Sequence, residues 1–202
     1  MEQKSKRCYP IHRVFAAPDW SALPLARMEP LWIVPTSVSA CAQLAYDDER
    51  LYAHLHAQES QIRAEGTGPL DQPCLDSCLE WFFSPLEGDK RYLNIEMNPN
   101  CCLYLGLGTG RGDLVRLLPQ GGARALNARC VRTPDGWDLY YELPYRLIRL
   151  FFPEFVPAGR LHGNFYKCGD LTAQEHYLAW NPVEVPTPDF HRPEFFGDLL
   201  FV

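Results

Sequence analysis

Residues 75–98 read LDSCLEWFFSPLEGDKRYLNIEMN, and this stretch decides the fold class. Leu79, Trp81 and Phe83 alternate with Cys78 and Glu80, and Leu93, Ile95 and Met97 alternate with Tyr92, Asn94, Glu96 and Asn98. Strand side chains have a period of two, so the spacing predicts two strands, each with one apolar and one hydrogen-bonding face. The eight residues between them carry Pro85 and the Gly88-Asp89 pair, turn chemistry that suits an antiparallel hairpin. The six apolar residues should face a core. Glu80, Asn94, Glu96 and Asn98 should then line a rigid polar face, hardware for sugar hydroxyls or a hard cation.

Outward from this hairpin the chain keeps the same character. Eighteen prolines and fourteen glycines along 202 residues leave little room for long helices. Further strands are predicted at 38–44, 51–58, 101–107, 125–132, 137–143 and 162–168, with a Thr133-Pro134-Asp135-Gly136 turn after the fourth. In 51–58 the alternation is strict: Leu51, Ala53, Leu55 and Ala57 inward, Tyr52, His54, His56 and Gln58 outward. One short helix is expected near 144–152, with Pro144 in its first turn and Pro153 ending it. The reading is an all-β, antiparallel β-sandwich of the immunoglobulin or jelly-roll kind, one domain over 1–202. Residues 181–202, rich in proline and aromatics, should wrap the sheet in an extended path.

Net charge narrows the partners. At -6, with pI near 5.5 and no basic stripe, the chain is not expected to bind nucleic acid. No run approaches the ~18 to 20 apolar residues of a membrane span, so no membrane partner is expected. The charged N-terminal stretch leads into Cys8-Tyr9-Pro10, which does not read as a secretory signal. A cytoplasmic location with eight reduced cysteines is the expectation. Cys74, Cys78 and the Cys101-Cys102 pair fit no common zinc spacing and read as buried small hydrophobes. His54 and His56, two apart, have metal-ligand spacing without a third ligand and read as an outer face. The Gly106–Gly110 run lacks a following helix and reads as a turn, not a nucleotide loop.

Six ordered segments, taken together, resemble family 9 carbohydrate-binding modules, most closely the stand-alone family 9-like branch. They are Leu51-Tyr52 after an acidic turn, DSCLEWFF at 76–83, YLNIEMN at 92–98, NFYKCGD at 164–170, HYLAW at 176–180 and DFHRPEFFG at 189–197. The resemblance implies a β-sandwich with a sugar-binding face and no catalysis of its own. It also implies a link to polysaccharide or oligosaccharide catabolism beside glycosidases. Glu80, Asn94, Glu96, Asn98 and Asn164 would meet hydroxyls, with Trp180 as stacking plate; the stretch before Asp76 carries no second tryptophan.

Side chains opposite one another on neighbouring strands lie ~4.5 to 5.5 Å apart, where two carboxylates repel. Glu80 and Glu96 would therefore need a cation, an arginine or ligand donors. A structural calcium and the oligomeric state stay open. Two alternatives stay open as well: a glycoside hydrolase using Glu80 and Glu96 as its carboxylate pair, at the spacings that chemistry requires, and a protein-interaction module.

Overall fold

The alternation at 51–58 reappears residue by residue: Leu51, Ala53, Leu55 and Ala57 are buried, and Tyr52, His54 and His56 are partly exposed. A computed structural model describes residues 6–34 and 37–202; the charged stretch 1–5 lies outside them. Among the described residues there are thirteen strands: β1 (Cys8–Arg13), β2 (Ala26–Leu31), β3 (Ser39–Tyr46), β4 (Arg50–Gln58), β5 (Cys78–Ser84), β6 (Tyr92–Met97), β7 (Leu103–Gly108), β8 (Val115–Leu117), β9 (Arg129–Thr133), β10 (Gly136–Pro144), β11 (Arg160–Cys168), β12 (Tyr177–Ala179) and β13 (Gly197–Phe201). A short α-helix, α1, spans Tyr145–Arg149.

One sheet runs β8-β7-β6-β5-β11, all antiparallel, and the far edge of β11 is shared by β13 and β12. The other runs β2-β3-β4-β10-β9. Two strands tie the layers together. β2 pairs with β3 through Ala26–Met28 and with β12 through Glu29–Leu31. β1 runs parallel to β13 and then to β3. Such crossing strands leave few free edges, which limits edge-to-edge aggregation.

Leu79, Trp81, Phe83, Leu93, Ile95 and Met97 are all buried, in one cluster with Ala42, Leu44, Ala53 and Leu55 of the opposite sheet. The Trp81 and Phe83 rings stack at 4.3 Å. The helix is shorter than 144–152, because Pro144 ends β10 and serves as N-cap, and Leu150 already closes the last turn. The strand expected at 125–132 begins only at Arg129. Before it lies a 3-10 turn (Gly122–Leu126), closed by Asn127 at a left-handed φ of 47°.

A larger departure concerns the second face of the hairpin. Every residue of β5 and β6 is buried, on both faces. Residues 181–196 fold over the polar face and close a second core of Phe82, Tyr92, Tyr166, Val183, Phe190 and Phe196. This face is not an open surface.

Lys167 stands opposite Leu79 and points between the sheets, fully buried. Its ammonium lies 3.2 Å from Glu59 Oε1, donates to the Cys168 carbonyl at 2.9 Å and reaches His176 Nε2 at 2.7 Å. Trp137 Nε1 and Ser77 Oγ donate to the two oxygens of Glu59 at 2.6 and 3.0 Å. His176 Nδ1 is 2.6 Å from the Gln174 carbonyl, so the neutral ring donates there and accepts from Lys167. Burial, and then the Lys167 charge, push the His176 pKa down to about 4.

Removing one partner of a buried ion pair costs about 3–5 kcal/mol. Lys167→Met should lower stability in urea unfolding by that order, and Lys167→Met combined with Glu59→Gln should recover much of it. His176 titrates near 6.5 when unfolded and near 4 when folded, so its contribution is present above about pH 6.5 and lost as pH falls toward 4. The stability gap between wild type and His176→Gln should therefore narrow over that range.

Candidate functional site

Glu80 on β5 and Glu96 on β6 are direct cross-strand partners, 3% and 6% exposed. Two like charges cannot share so dry a site cheaply. Burial, and then the neighbouring Glu96, raise the Glu80 pKa well above the ordinary carboxyl value. Burial also raises Glu96, and the Asn94 amide, which donates to its Oε1 at 2.9 Å, offsets part of the effect. Asn94 Oδ1 is itself buried without a partner, a spare acceptor beside the pair. Neither glutamate has an ion-pair partner among the described residues.

Both carboxyls open into a cavity of about 160 Å³ walled by Arg111, Asp170, Tyr177, Asp189 and His191. Arg111 arrives on the loop after β7, and two glycines make that possible. A Cβ on Gly108 would stand 2.9 Å from the Leu114 Cα, and one on Gly106 would stand 3.1 Å from the Leu114 side chain. The loop thus lies flat against the sheet. Asp113 binds it from within, accepting from the Thr109 and Gly110 amides at 2.9 Å. The Gly106–Gly110 run is a strand end and turn with a positioning role.

The tail supplies the opposite wall. Arg111 Nε donates to Asp189 Oδ1 at 3.1 Å and joins loop to tail across the opening. His191 Nδ1 is 2.8 Å from the Tyr92 hydroxyl, and burial, then Arg111, push its pKa down to about 4. His191 therefore anchors the tail and also lines the cavity.

Three expected site residues lie elsewhere. Trp180 is 4% exposed and sits edge-on to Phe165 and Tyr9 between the sheets, at 5.8 and 6.4 Å. Strand parity explains the difference: Leu178 and Trp180 belong to the core, so Tyr177 becomes the aromatic wall of the cavity. Asn98 bonds loops, donating to the Gly66 carbonyl and Asp76 and accepting from the Asn100 and Cys102 amides. Asn164 clasps the tail, with Nδ2 donating to the Asn181 carbonyl and Oδ1 accepting from its amide, both at 2.8 Å. Of the six, Glu80, Asn94 and Glu96 come together.

Arg111, Asp170 and Tyr177 escaped the sequence reading. A signal for Arg111 existed: two facing glutamates call for an arginine, and the loop after the next strand carries one. His54 and His56 both bond Asp138 Oδ1, at 2.8 and 3.0 Å, on the outer face. Among the described residues the one group of three potential metal ligands is Cys78, Glu80 and Cys168. Calcium takes six to eight oxygens, so two thiols and one carboxyl do not suit it. All eight cysteines are unbridged.

The model of Carbohydrate-binding family 9 matches residues 34–201. No curated protein matches the chain. A Bacteroides uniformis protein to which carbohydrate binding is ascribed is similar in structure, with a TM-score of 0.80 at 24% identity, covering 98% of this chain and 100% of that one. A family 9 carbohydrate-binding module of Caldicellulosiruptor kristjanssonii, solved with cellotriose, aligns with a TM-score of 0.66 at 10% identity over 96% of this chain and 93% of that one. Its glucose complex gives 0.63 at 11% identity, over 97% and 96%. These likenesses show the β-sandwich fold. Among the described residues no helix is long and apolar enough to cross a membrane.

Truncating the tail clasp should loosen the roof of the cavity. Asn164→Ala leaves the Asn181 amide and carbonyl without partners, at about 1–3 kcal/mol for a buried group. Faster hydrogen exchange across 181–196, with β4 and β10 little changed, is the expected outcome.

Proposed function

The chain belongs to carbohydrate-binding family 9, and from that premise we propose that it binds the end of a saccharide in the Glu80–Glu96 cavity without cleaving it. The convergence of two facing buried carboxyls with Arg111, Asp170, Tyr177 and His191 on about 160 Å³ carries this reading. Sugar hydroxyls donate and accept together. The glutamates and Asp170 accept, the Arg111 guanidinium donates, and the Tyr177 ring offers an apolar wall to a pyranose face. A bound hydroxyl would also add donors to a carboxylate pair that has only the Asn94 amide and the Cys168 thiol.

Size and charge both favour binding over hydrolysis. Ligand pockets commonly span about 300–1,000 Å³, so this cavity suits one terminal ring and not two rings flanking a scissile bond. Glycosidases separate their carboxyls into one acid and one ionised partner. Here burial raises both. Glucose and cellotriose, the ligands in the two Caldicellulosiruptor kristjanssonii complexes, are sensible first probes. A role in saccharide breakdown beside glycosidases, in the cytoplasm, extends the same proposal.

Calorimetry with glucose, cello-oligosaccharides and xylo-oligosaccharides, after a glycan array, tests the site. Losing a charge-assisted hydrogen bond costs about 1.5–3 kcal/mol, so Glu80→Gln and Arg111→Ala should each weaken binding about 10- to 100-fold. Trp180→Phe should lower stability and leave affinity nearly unchanged. Equal affinity in wild type, Glu80→Gln and Arg111→Ala would place the ligand elsewhere. Steady glycosidic cleavage by wild type, abolished in Glu80→Gln, would make the protein an enzyme.

A further inference from the structure

Beneath the cavity the sheet carries a group that hydroxyl recognition does not use. Cys78 and Cys168 are direct cross-strand partners on β5 and β11, and Glu80 follows Cys78 two residues on, on the same face. One ligand atom from each lies within 4.8 Å of the other two, and all three residues are buried. The Cys168 thiol donates to Glu80 Oε1 at 3.0 Å. Cys168 and Glu80 also line the cavity, so the group is open on one side and closed on the others.

We propose that Cys78, Cys168 and Glu80 form a zinc site in the floor of the cavity. Two thiolates and a carboxylate are a donor set for a borderline-soft divalent ion, unlike the all-oxygen cages of calcium and magnesium. With Zn–S bonds near 2.3 Å and Zn–O near 2.0–2.2 Å, tetrahedral geometry needs ligand atoms about 3.5–3.7 Å apart. The Cys168–Glu80 contact opens by about half an ångström, and any wider separation, none above 4.8 Å, closes by about an ångström at most. The strand backbones hold the register, so side-chain rotation alone makes the adjustment. Each thiol gives up its proton to solvent as it ligates. Three protein ligands leave a fourth position facing the cavity, for a water or a ligand hydroxyl. An ion here also places a positive charge in direct contact with Glu80, closer than the Arg111 guanidinium in the cavity wall. Glu80 is shared with the saccharide reading, but zinc loading does not rest on it.

Tag-free protein, its thiols kept reduced, is stripped with a chelator and titrated with zinc against a chromophoric competitor, with no sugar present. One zinc per chain is expected. Glu80→Gln and Cys168→Ser should each weaken it more than about tenfold, whereas Cys130→Ser, at the Cys101–Cys130 contact, should leave it unchanged. Cobalt(II) should give a thiolate-to-metal charge-transfer band that falls in Cys168→Ser. Zinc should raise the melting temperature of wild type and not of Glu80→Gln. Should Cys168→Ser fail to fold, the nearly isosteric Glu80→Gln still decides. Absence of stoichiometric binding, or binding indifferent to both variants, reduces the group to a thiol–carboxyl hydrogen-bond chain and overturns the proposal. Saccharide titration of the zinc-free protein is read separately, so either proposal can fail without the other.

Discussion

Two glutamates facing one another on neighbouring strands, on a sheet whose reverse side is already a packed core, constrain everything around them. Leu79, Trp81, Ile95 and Met97 hold β5 and β6 in register from below, so Glu80 and Glu96 cannot swing apart. A one-residue slip would turn both into the core, which makes the register stiff. Because neither carboxyl has an ion-pair partner among the described residues, the site favours protonation or a ligand that brings donors. A candidate site is thus written into the strand pairing before any loop is placed.

The loops and tail turn that pair into a cavity. Gly106 and Gly108 let the Arg111 loop lie against the sheet, Asp113 fastens the loop, and Asn164 clasps the tail at Asn181. The Arg111–Asp189 contact joins the two covers over the carboxyls. Each fastening is a backbone-directed hydrogen bond or a partly exposed ion pair, weaker than the core beneath. Motion in the protein should therefore concentrate at the roof while the floor stays fixed.

The other face of the same sheet shows the same economy of charge. Lys167, Glu59 and His176 sit inside, yet each is met by a polar partner, with Trp137 and Ser77 completing Glu59. Burial there is tolerable because pairing is complete. At the cavity it is not complete, and that contrast separates a structural cluster from a site awaiting a ligand.

What the sequence alone determined is periodic. Alternation at 51–58, 78–84 and 92–97 revealed the strands, the core residues and the facing glutamates, because side-chain direction in a strand follows from position by parity. The family resemblance made Trp180 a plate, whereas parity along 177–180 sends Leu178 and Trp180 to the core and Tyr177 to the cavity. Short strands such as β8 and β12, three residues each, carry too few alternations to be legible, and β1 and β2 hide behind prolines. Only the tertiary structure decided what covers the polar face. Asn164 and Asn98 have the chemistry of ligand contacts in any local reading, and nothing local marks His191 as a cavity wall. Their hydrogen bonds to segments 17 to 99 residues away make two of them fasteners and the third a wall that also anchors. Local sequence sets which way a side chain points, whereas its partner depends on where distant chain returns.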